Sequence, residues 1–417
     1  MTRRAAVAVL LAVALAGCAG GGHYPARPAP ETLAAGSPLL SESLGPTDAW
    51  LRHYLMTDKA DSALSLLRRE RVAPRDALLR HLQLGVVLHH AGEWAESNAA
   101  FEWAEGEAER RYTRSVTQSA AMLLVNDGVV AYTPPPAEMA MIPYYRMLNY
   151  LALEDGAESV VEARKANAYL ERIRQGAGEP CVGEGFVQYL TGLVYDGAGE
   201  RRDALVSYRQ AERGYDSCSG GAVPAPLGAD LYRAARAAGV ADVADSAAAR
   251  YRVAGTAVNG GGELVVLVEQ GWVAHRAPTD IHLPIPRNEM EALESGDAGL
   301  ITEAAGRLSA HLLGNVMEQA RWGSTTDERY QLEDAANGAY IMKMAWPASR
   351  LEACAPRSIR LVVNGDTVEP PASASDLSAA VTRRWDAQRP GMLSRMVARG
   401  LTKYVVGRAA ERKAEKQ

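Results

Sequence analysis

The sequence predicts a mostly helical protein: a solenoid of helical hairpins followed by a small α+β domain at the C-terminal end. Three observations carry that expectation. One pattern of small, aromatic and glycine positions returns at fixed offsets through the first half of the chain. Apolar residues there recur at helical spacing. Past Asn259-Gly260-Gly261-Gly262 the pattern gives way to short β-branched segments and an Asn-Gly pair.

The first element is a leader. Arg3 and Arg4 precede an apolar run from Ala5 to Ala16, too short for a comfortable permanent membrane span. Leu15-Ala16-Gly17-Cys18 follows and resembles the lipobox of bacterial lipoproteins. The resemblance implies that residues 1–17 are a signal peptide and that Cys18 takes up a diacylglyceryl group and acyl chains. Each buried CH₂ then adds roughly 0.8 kcal/mol of membrane affinity. Ala19, where inner-membrane lipoproteins of Gram-negative bacteria tend to carry Asp, points to the outer membrane, with the inner membrane left open. An ordinary secretory signal with a cysteine nearby is the competing reading. Residues 18–47 are rich in Gly, Pro, Ala and Ser and read as a flexible tether.

The next element, residues 48–257, is the repeat. Gly192, Tyr195, Gly199, Ala204, Tyr208 and Ala211 have the offsets of a tetratricopeptide repeat (TPR). The same offsets reach Gly85, Leu88, Gly92, Ser97, Phe101 and Ala104. Weaker copies are Leu51, Tyr54, Asp58, Ala63, Leu67; then Met147, Tyr150, Glu154, Ser159, Ala163, Ala166; then Tyr232, Ala235, Gly239, Ala244, Ala248, Tyr251. Small residues let two helices approach, aromatics fill the gap beside them, and the central glycine suits a left-handed helix cap. Generic amphipathic hairpins are the alternative. Between the second and third units, a helix through Thr117–Val125 leads to Asn126-Asp127-Gly128 and Pro134-Pro135-Pro136, an interruption of the array.

Besides Cys18 there are Cys181, Cys218 and Cys354, so an exported chain would hold one disulfide and one leftover thiol. Cys181 and Cys218 bracket the best hairpin, whose two outer ends lie together. A Cys181–Cys218 disulfide is therefore expected, contributing roughly 3 kcal/mol; two buried free thiols are the alternative, and Cys354 stays open.

Residues 258–388 read as the α+β domain. Strands are expected at Glu263–Val268, Thr279–Pro284, Ala339–Trp346 and Ser358–Val363, the last turning at Asn364-Gly365. Helices are expected at 298–320 and 374–388. Residues 389–417 form a basic amphipathic helix: Leu393, Met396, Val397 and Leu401 share one face, Arg395, Arg399 and Lys403 another. It either docks on the body or lies on an anionic membrane or partner.

Tyr144-Tyr-Arg-Met-Leu-Asn-Tyr-Leu-Ala-Leu153, running on to Val161-Glu-Ala-Arg-Lys-Ala-Asn167, resembles a family of bacterial TPR lipoproteins. The likeness extends to Gly92–Asn98, Asn126-Asp127, the Gly-Glu-Leu-Val-Val-Leu stretch and the closing Arg395–Lys403 helix. Glu154 stands where that family tends to have a turn glycine, and Pro134–Pro136 replaces a more polar segment. The resemblance implies an envelope location and repeats, brings no activity with it, and hints at a link to regulators of peptidoglycan synthesis.

Chemistry is sparse. A net charge of -5 without a dense basic stretch before the last turns argues against nucleic acid. His89-His90 has no carboxylate at ligand spacing, and His275 and His282 flank a strand region, so no metal or cofactor is expected. No Gly-x-Ser-x-Gly elbow, His-Glu-x-x-His or paired-cysteine motif occurs. The expected function is a non-catalytic scaffold that holds an envelope protein on its concave face, with Arg52, His89 and Tyr189 as candidate contacts. The alternative is a glycan-binding protein or unrecognised envelope enzyme, its site in the C-terminal domain beside Trp272, Trp322 and Trp346.

Overall fold

The computed structural model describes residues 45–118, 132–175, 184–218, 223–253, 264–295, 297–322, 340–350, 360–368 and 375–415. The expected leader and most of the expected tether, Cys18, Cys181, Cys354, the expected Asn126-Asp127-Gly128 turn and the glycine run at 259–262 lie outside them. The described chain is mostly helical, with thirteen α-helices among its described residues.

Ten of these helices form five consecutive pairs: α1 (Pro46–Met56) with α2 (Ala60–Arg69), α3 (Ala77–His90) with α4 (Trp94–Gln118), α5 (Pro136–Ala152) with α6 (Gly156–Gln175), α7 (Glu184–Gly197) with α8 (Arg201–Cys218), and α9 (Ala225–Ala238) with α10 (Ala241–Tyr251). Each helix packs on its neighbours in sequence, and α5 also touches both α3 and α7. First helices of successive pairs therefore meet along the middle of the array.

The five turns are built alike. Asp58, Gly92, Glu154, Gly199 and Gly239 all have positive φ, from 57° to 79°. The next residue's N–H reaches back over the turn in every case: Lys59 to Tyr54, Glu93 to Leu88, Asp155 to Tyr150, Glu200 to Tyr195 and Val240 to Ala235, at 2.8–2.9 Å. That bond together with the left-handed residue is a Schellman cap. The same five residues then accept the first bond of the second helix, from Ala63, Ser97, Ser159, Ala204 and Ala244 at 2.9–3.2 Å. The left-handed residues, the Schellman acceptors and the residues donating the first bond of each second helix fall on the offsets described above.

Close approaches at Gly192, Gly85 and Gly228, the last against Tyr251, fix the pairing inside three hairpins. A Cβ on Gly192 would lie 2.4 Å from the Tyr208 ring, and one on Gly85 would lie 2.6 Å from Phe101. The Ser97 hydroxyl donates to the Gly85 carbonyl at 2.7 Å, and Ser159 does the same to Met147 at 3.1 Å. Around these contacts the core is apolar: Leu64, Leu67, Val87 and Leu88 in the first two pairs, and Tyr144, Leu190, Tyr208 and Leu231 in the rest. A side chain as buried as Leu67 contributes about 2 kcal/mol.

The remaining elements are β1 (His275–Ile285), α11 (Arg287–Glu294), α12 (Ala298–Trp322), β2 (Tyr340–Arg350), β3 (Leu361–Val363), β4 (Asp366–Val368) and α13 (Leu377–Glu415). β1 and β2 pair antiparallel, from His275 opposite Arg350 to Ile285 opposite Tyr340. β3 and β4 form a hairpin around Asn364 and Gly365, whose φ values of 53° and 94° match a type I′ turn.

Two expectations need correction here. Leu264–Val268 is not a buried strand: Leu264 is 73% and Val268 51% exposed, and among the described residues no strand pairs with this segment. β-branched composition fits a pleated strand, but a strand forms only where another edge accepts its hydrogen bonds. The helices expected at 374–388 and beyond 389 are a single helix, α13, which runs through Pro390. An interior proline costs about 3 kcal/mol. Burial of Trp385 before it, and of Leu393, Val397 and Leu401 after it, against Leu293, Ala304 and Leu308 offsets that cost. The apolar face of the tail thus docks on α11 and α12. Upstream, Ala380, Leu377 and Val381 join the core of the helical pairs, so α13 links both clusters. No described helix is long and apolar enough to cross a membrane.

Candidate interaction surface

The Tyr144–Asn167 stretch lies on α5 and α6, and its polar residues are paired both within this hairpin and with its neighbours. Arg146, 4% exposed, pairs with Glu162, 1% exposed, at 3.0 Å and with Glu105 of α4 at 3.4 Å. Lys165 closes on the same Glu162 at 2.9 Å. Burial raises the Glu105 carboxyl above its ordinary range, against the pull of Lys165 and Arg146. Asn149, fully buried, donates to Ser97 Oγ and Asn98 Oδ1, both at 2.9 Å, and its Oδ1 lies 2.6 Å from His89 Nδ1. On the other side, Asn167 donates to Ser207 at 3.0 Å and accepts from Thr191 at 3.1 Å. Arg164 grips both oxygens of Glu200 at 2.9 and 3.0 Å. Apart from the Glu162 contacts, which stay inside the third pair, these ties cross from it to the second and the fourth.

Beside them lies an aromatic cluster. Tyr145 stacks on Phe101 at 5.5 Å and meets His89 and Tyr144 edge-on, each at 5.0 Å. Tyr144 also leans on Phe186 at 5.5 Å. Into this cluster comes a carboxylate from far along the chain. Tyr144 donates to Glu269 Oε1 at 2.9 Å, Tyr145 donates to Oε2 at 3.2 Å, and His90 Nε2 stands 3.4 Å from Oε2. Desolvation pushes the Glu269 carboxyl up, but the contacts with His90 and Tyr144 and the charge of both histidines outweigh it, holding it below its usual range. Desolvation by the same surroundings lifts both tyrosines far above their ordinary value, with the Glu269 charge adding to the effect. His89 is held below the ordinary histidine value, mainly by burial.

Three residues on, the Arg52 guanidinium lies over the Trp272 ring at 4.9 Å. The Ser378 hydroxyl of α13 accepts from the Ala274 N–H at 3.0 Å and donates to the Trp272 carbonyl at 3.1 Å. Residues 269–274 are therefore held by α1, α3, α5 and α13 while adopting no helix or strand before His275.

The three contact residues chosen from sequence are all engaged within the chain. Arg52, 9% exposed, covers Trp272. His89 is half-buried against Asn149 and Tyr145. Tyr189 donates to Asp230 of α9, and its ring meets Tyr208 edge-on at 5.9 Å. Arg52 and His89 thus border the 269–274 segment, and Tyr189 belongs to a different junction. Cys218 is disulfide-bonded, and its partner lies outside the described residues. The side chains of Trp322 and Trp346 also lie outside them. Sequence reasoning missed Glu269 and Tyr145. The available signals were the doubled tyrosine at 144–145 and a lone carboxylate closing an apolar run. Among the described residues, no three His, Cys, Asp or Glu side chains gather as metal ligands. A groove of about 250 Å³ between α6, α7 and α8 is lined by Leu170, Gln188 and Gln210 among others.

No family model and no curated protein matches the chain. Among solved structures, it is similar to the crystal structure of BtubC (BKLC) from P. vanneervenii. The identity is 16%, 54% of this chain and 87% of that chain are covered, and the TM-score is 0.34.

Proposed function

We propose that this chain is an envelope lipoprotein acting as a non-catalytic protein–protein interaction scaffold, with a TPR-like solenoid over residues 48–257 and a small α+β domain after it. The observation that carries this reading is the identity of the five turns, each with a left-handed residue, a Schellman bond and a following helix start at the same offsets. Asp58 and Gly92 stand 34 residues apart, the period of a TPR. Stacked hairpins bury a shared core and leave an inner face that suits an extended or helical partner segment. The proposed anchor is an acylated Cys18 in the outer membrane, with the folded chain facing the periplasm and the residue 18–47 tether between them. Envelope assembly or the regulation of peptidoglycan synthesis is the proposed setting.

Two measurements test this. Crosslinking in intact cells, followed by purification through a C-terminal tag, should recover one dominant envelope protein, and an Arg52→Ala/Tyr145→Ala chain should lose it. Recovery of nothing above background would sink the scaffold. Labelling with a clickable fatty acid should mark the wild-type chain and not Cys18→Ala; equal labelling would remove the anchor.

A further inference from the structure

We propose that the inner face around Tyr144, Tyr145, His90 and Arg52 is a peptide-binding cradle that residues 269–272 fill in cis. Its ligand in trans is then a non-helical segment of a partner protein carrying a carboxylate three residues ahead of an aromatic, with a glycine bend just before the aromatic as at Gly271. This deepens the scaffold reading and rests on it.

The contacts define the chemistry. Two tyrosine hydroxyls and a histidine converge on one carboxylate from two helices, with both Glu269 oxygens engaged at 2.9–3.4 Å. Both hydroxyls can donate at once to the two oxygens of a carboxylate, and His90 beside them forms an ion pair, when protonated, that an amide cannot. At the other end, Arg52 offers a planar cationic face at 4.9 Å to an indole, an interaction worth about 0.5–2 kcal/mol. Between these anchors the segment forms no helix or strand and bends at Gly271, whose φ is 82°, so a ligand needs a residue there that tolerates a left-handed backbone.

The cis occupant is built to be exchanged. Side-chain anchors at Glu269 and Trp272, with a Ser378 clasp at Ala274, hold it. The five residues before it, Leu264–Val268, remain 37–73% exposed. A segment so lightly packed belongs to the low-stability end of a fold, where local opening is cheap. A partner segment with the same anchors competes for the same cradle, and the cis segment sets the threshold of affinity that the partner must exceed.

The test uses the full mature chain and a labelled peptide with the sequence of residues 267–276. In fluorescence anisotropy, Glu269→Ala/Trp272→Ala should bind this peptide at least ten-fold more tightly than wild type. Adding Tyr144→Phe and Tyr145→Phe to that background, or replacing the peptide's glutamate by glutamine, should each reverse the gain. Equal binding by opened and wild-type chains, or indifference to the glutamate, overturns the proposal. If the opened variant proves misfolded by circular dichroism, hydrogen exchange on wild type decides instead. Saturating peptide should raise exchange across 264–274, and no change overturns displacement. Light scattering should show the opened variant monomeric; a dimer would make a second copy of the chain the occupant and overturn the partner assignment. A chain that captures a partner in cells yet ignores the peptide defeats this inference alone. Failure to capture any partner bears on the scaffold reading.

Discussion

Gly192→Ala tests the packing logic of the hairpins because two known effects oppose each other there. In a helix interior, Ala is favoured over Gly by about 1 kcal/mol. Propensity alone therefore says that the variant is more stable. The new Cβ, however, would stand 2.4 Å from both Cδ1 and Cε1 of Tyr208. That ring is fully buried and braced edge-on against Tyr189 at 5.9 Å, so it cannot swing aside. Overpacking costs about 1–3 kcal/mol, and contacts this short belong at the top of that range. The net result is a loss of about 2 kcal/mol, or roughly 4–8 °C in Tm for a unit of 150–250 residues. Gly106→Ala on α4 is the control. Its nearest neighbour would be Arg110 Nη1 at 3.8 Å, so the propensity gain should appear undiminished. Thermal melts followed by far-UV circular dichroism read both. Tyr208→Leu should convert Gly192→Ala from harmful to stabilising by about 1 kcal/mol, a coupling of about 3 kcal/mol in a double-mutant cycle. A Gly192→Ala chain that melts at or above wild type would refute the close-approach argument.

Further outcomes follow from the same geometry. Glu154→Gly should raise Tm, since a non-glycine residue at φ 59° bears about 1–2 kcal/mol of left-handed strain; an unchanged or lower Tm counts against it. Arg146→Met should destabilise by about 3 kcal/mol, because Glu162 at 1% exposure loses its closest buried partner, and urea titration should show Glu162→Gln restoring part of that loss. His89, depressed below its ordinary 6.5, takes up a proton less readily folded than unfolded. Its contribution is therefore present above pH 6.5 and is lost as pH falls toward the folded value. Urea midpoints should drop between pH 7.5 and 5.5, and His89→Gln should flatten that drop although His90 and Glu269 remain nearby. Non-reducing peptide mapping should find Cys218 joined to Cys181, and reduction should lower stability by roughly 3 kcal/mol; a Cys218–Cys354 peptide would refute the hairpin clamp.

The turns were legible because backbone geometry is a local property. Offsets alone placed Asp58 and Glu154 at turn positions although neither is glycine, and both have the left-handed φ of the glycines they align with. The Asn364-Gly365 hairpin was legible for the same reason. What stayed hidden depends on distant partners. Leu264–Val268 has the composition of a strand, and nothing local says whether an edge is available to it. Pro390 looks like a helix end until Trp385 and Leu393 are seen buried in one cluster on either side of it. Glu269 meets tyrosines more than a hundred positions away, and periodicity says nothing about such a pairing. The candidate contacts Arg52 and His89 were found as exposed-looking polar residues on first helices, and their actual neighbours came only with the fold.

The polar residues of the Tyr144–Asn167 stretch make more sense as register pins than as chemistry. Apolar packing is non-directional, and faces rich in alanine, such as Ala100, Ala104, Ala163 and Ala166, leave neighbouring hairpins able to slide at little cost. Chain connectivity limits sliding where turns stand 34 residues apart. Gly92 and Glu154 stand 62 apart, so the second and third pairs are not held in step by a short link. At that junction Asn149 finds Ser97, Asn98 and His89, and Arg146 finds Glu105. A slip of one helical turn would strand the fully buried Asn149 amide, costing about 1–3 kcal/mol, and would take Glu105 from Arg146 while leaving it Glu162. The next junction has its own pins in Asn167–Ser207 and Arg164–Glu200. Tyr144 and Tyr145 on α5 and His90 on α3 share the Glu269 carboxylate only when the register of the second and third pairs holds. Residues that never touch a ligand would thereby decide whether the cradle exists.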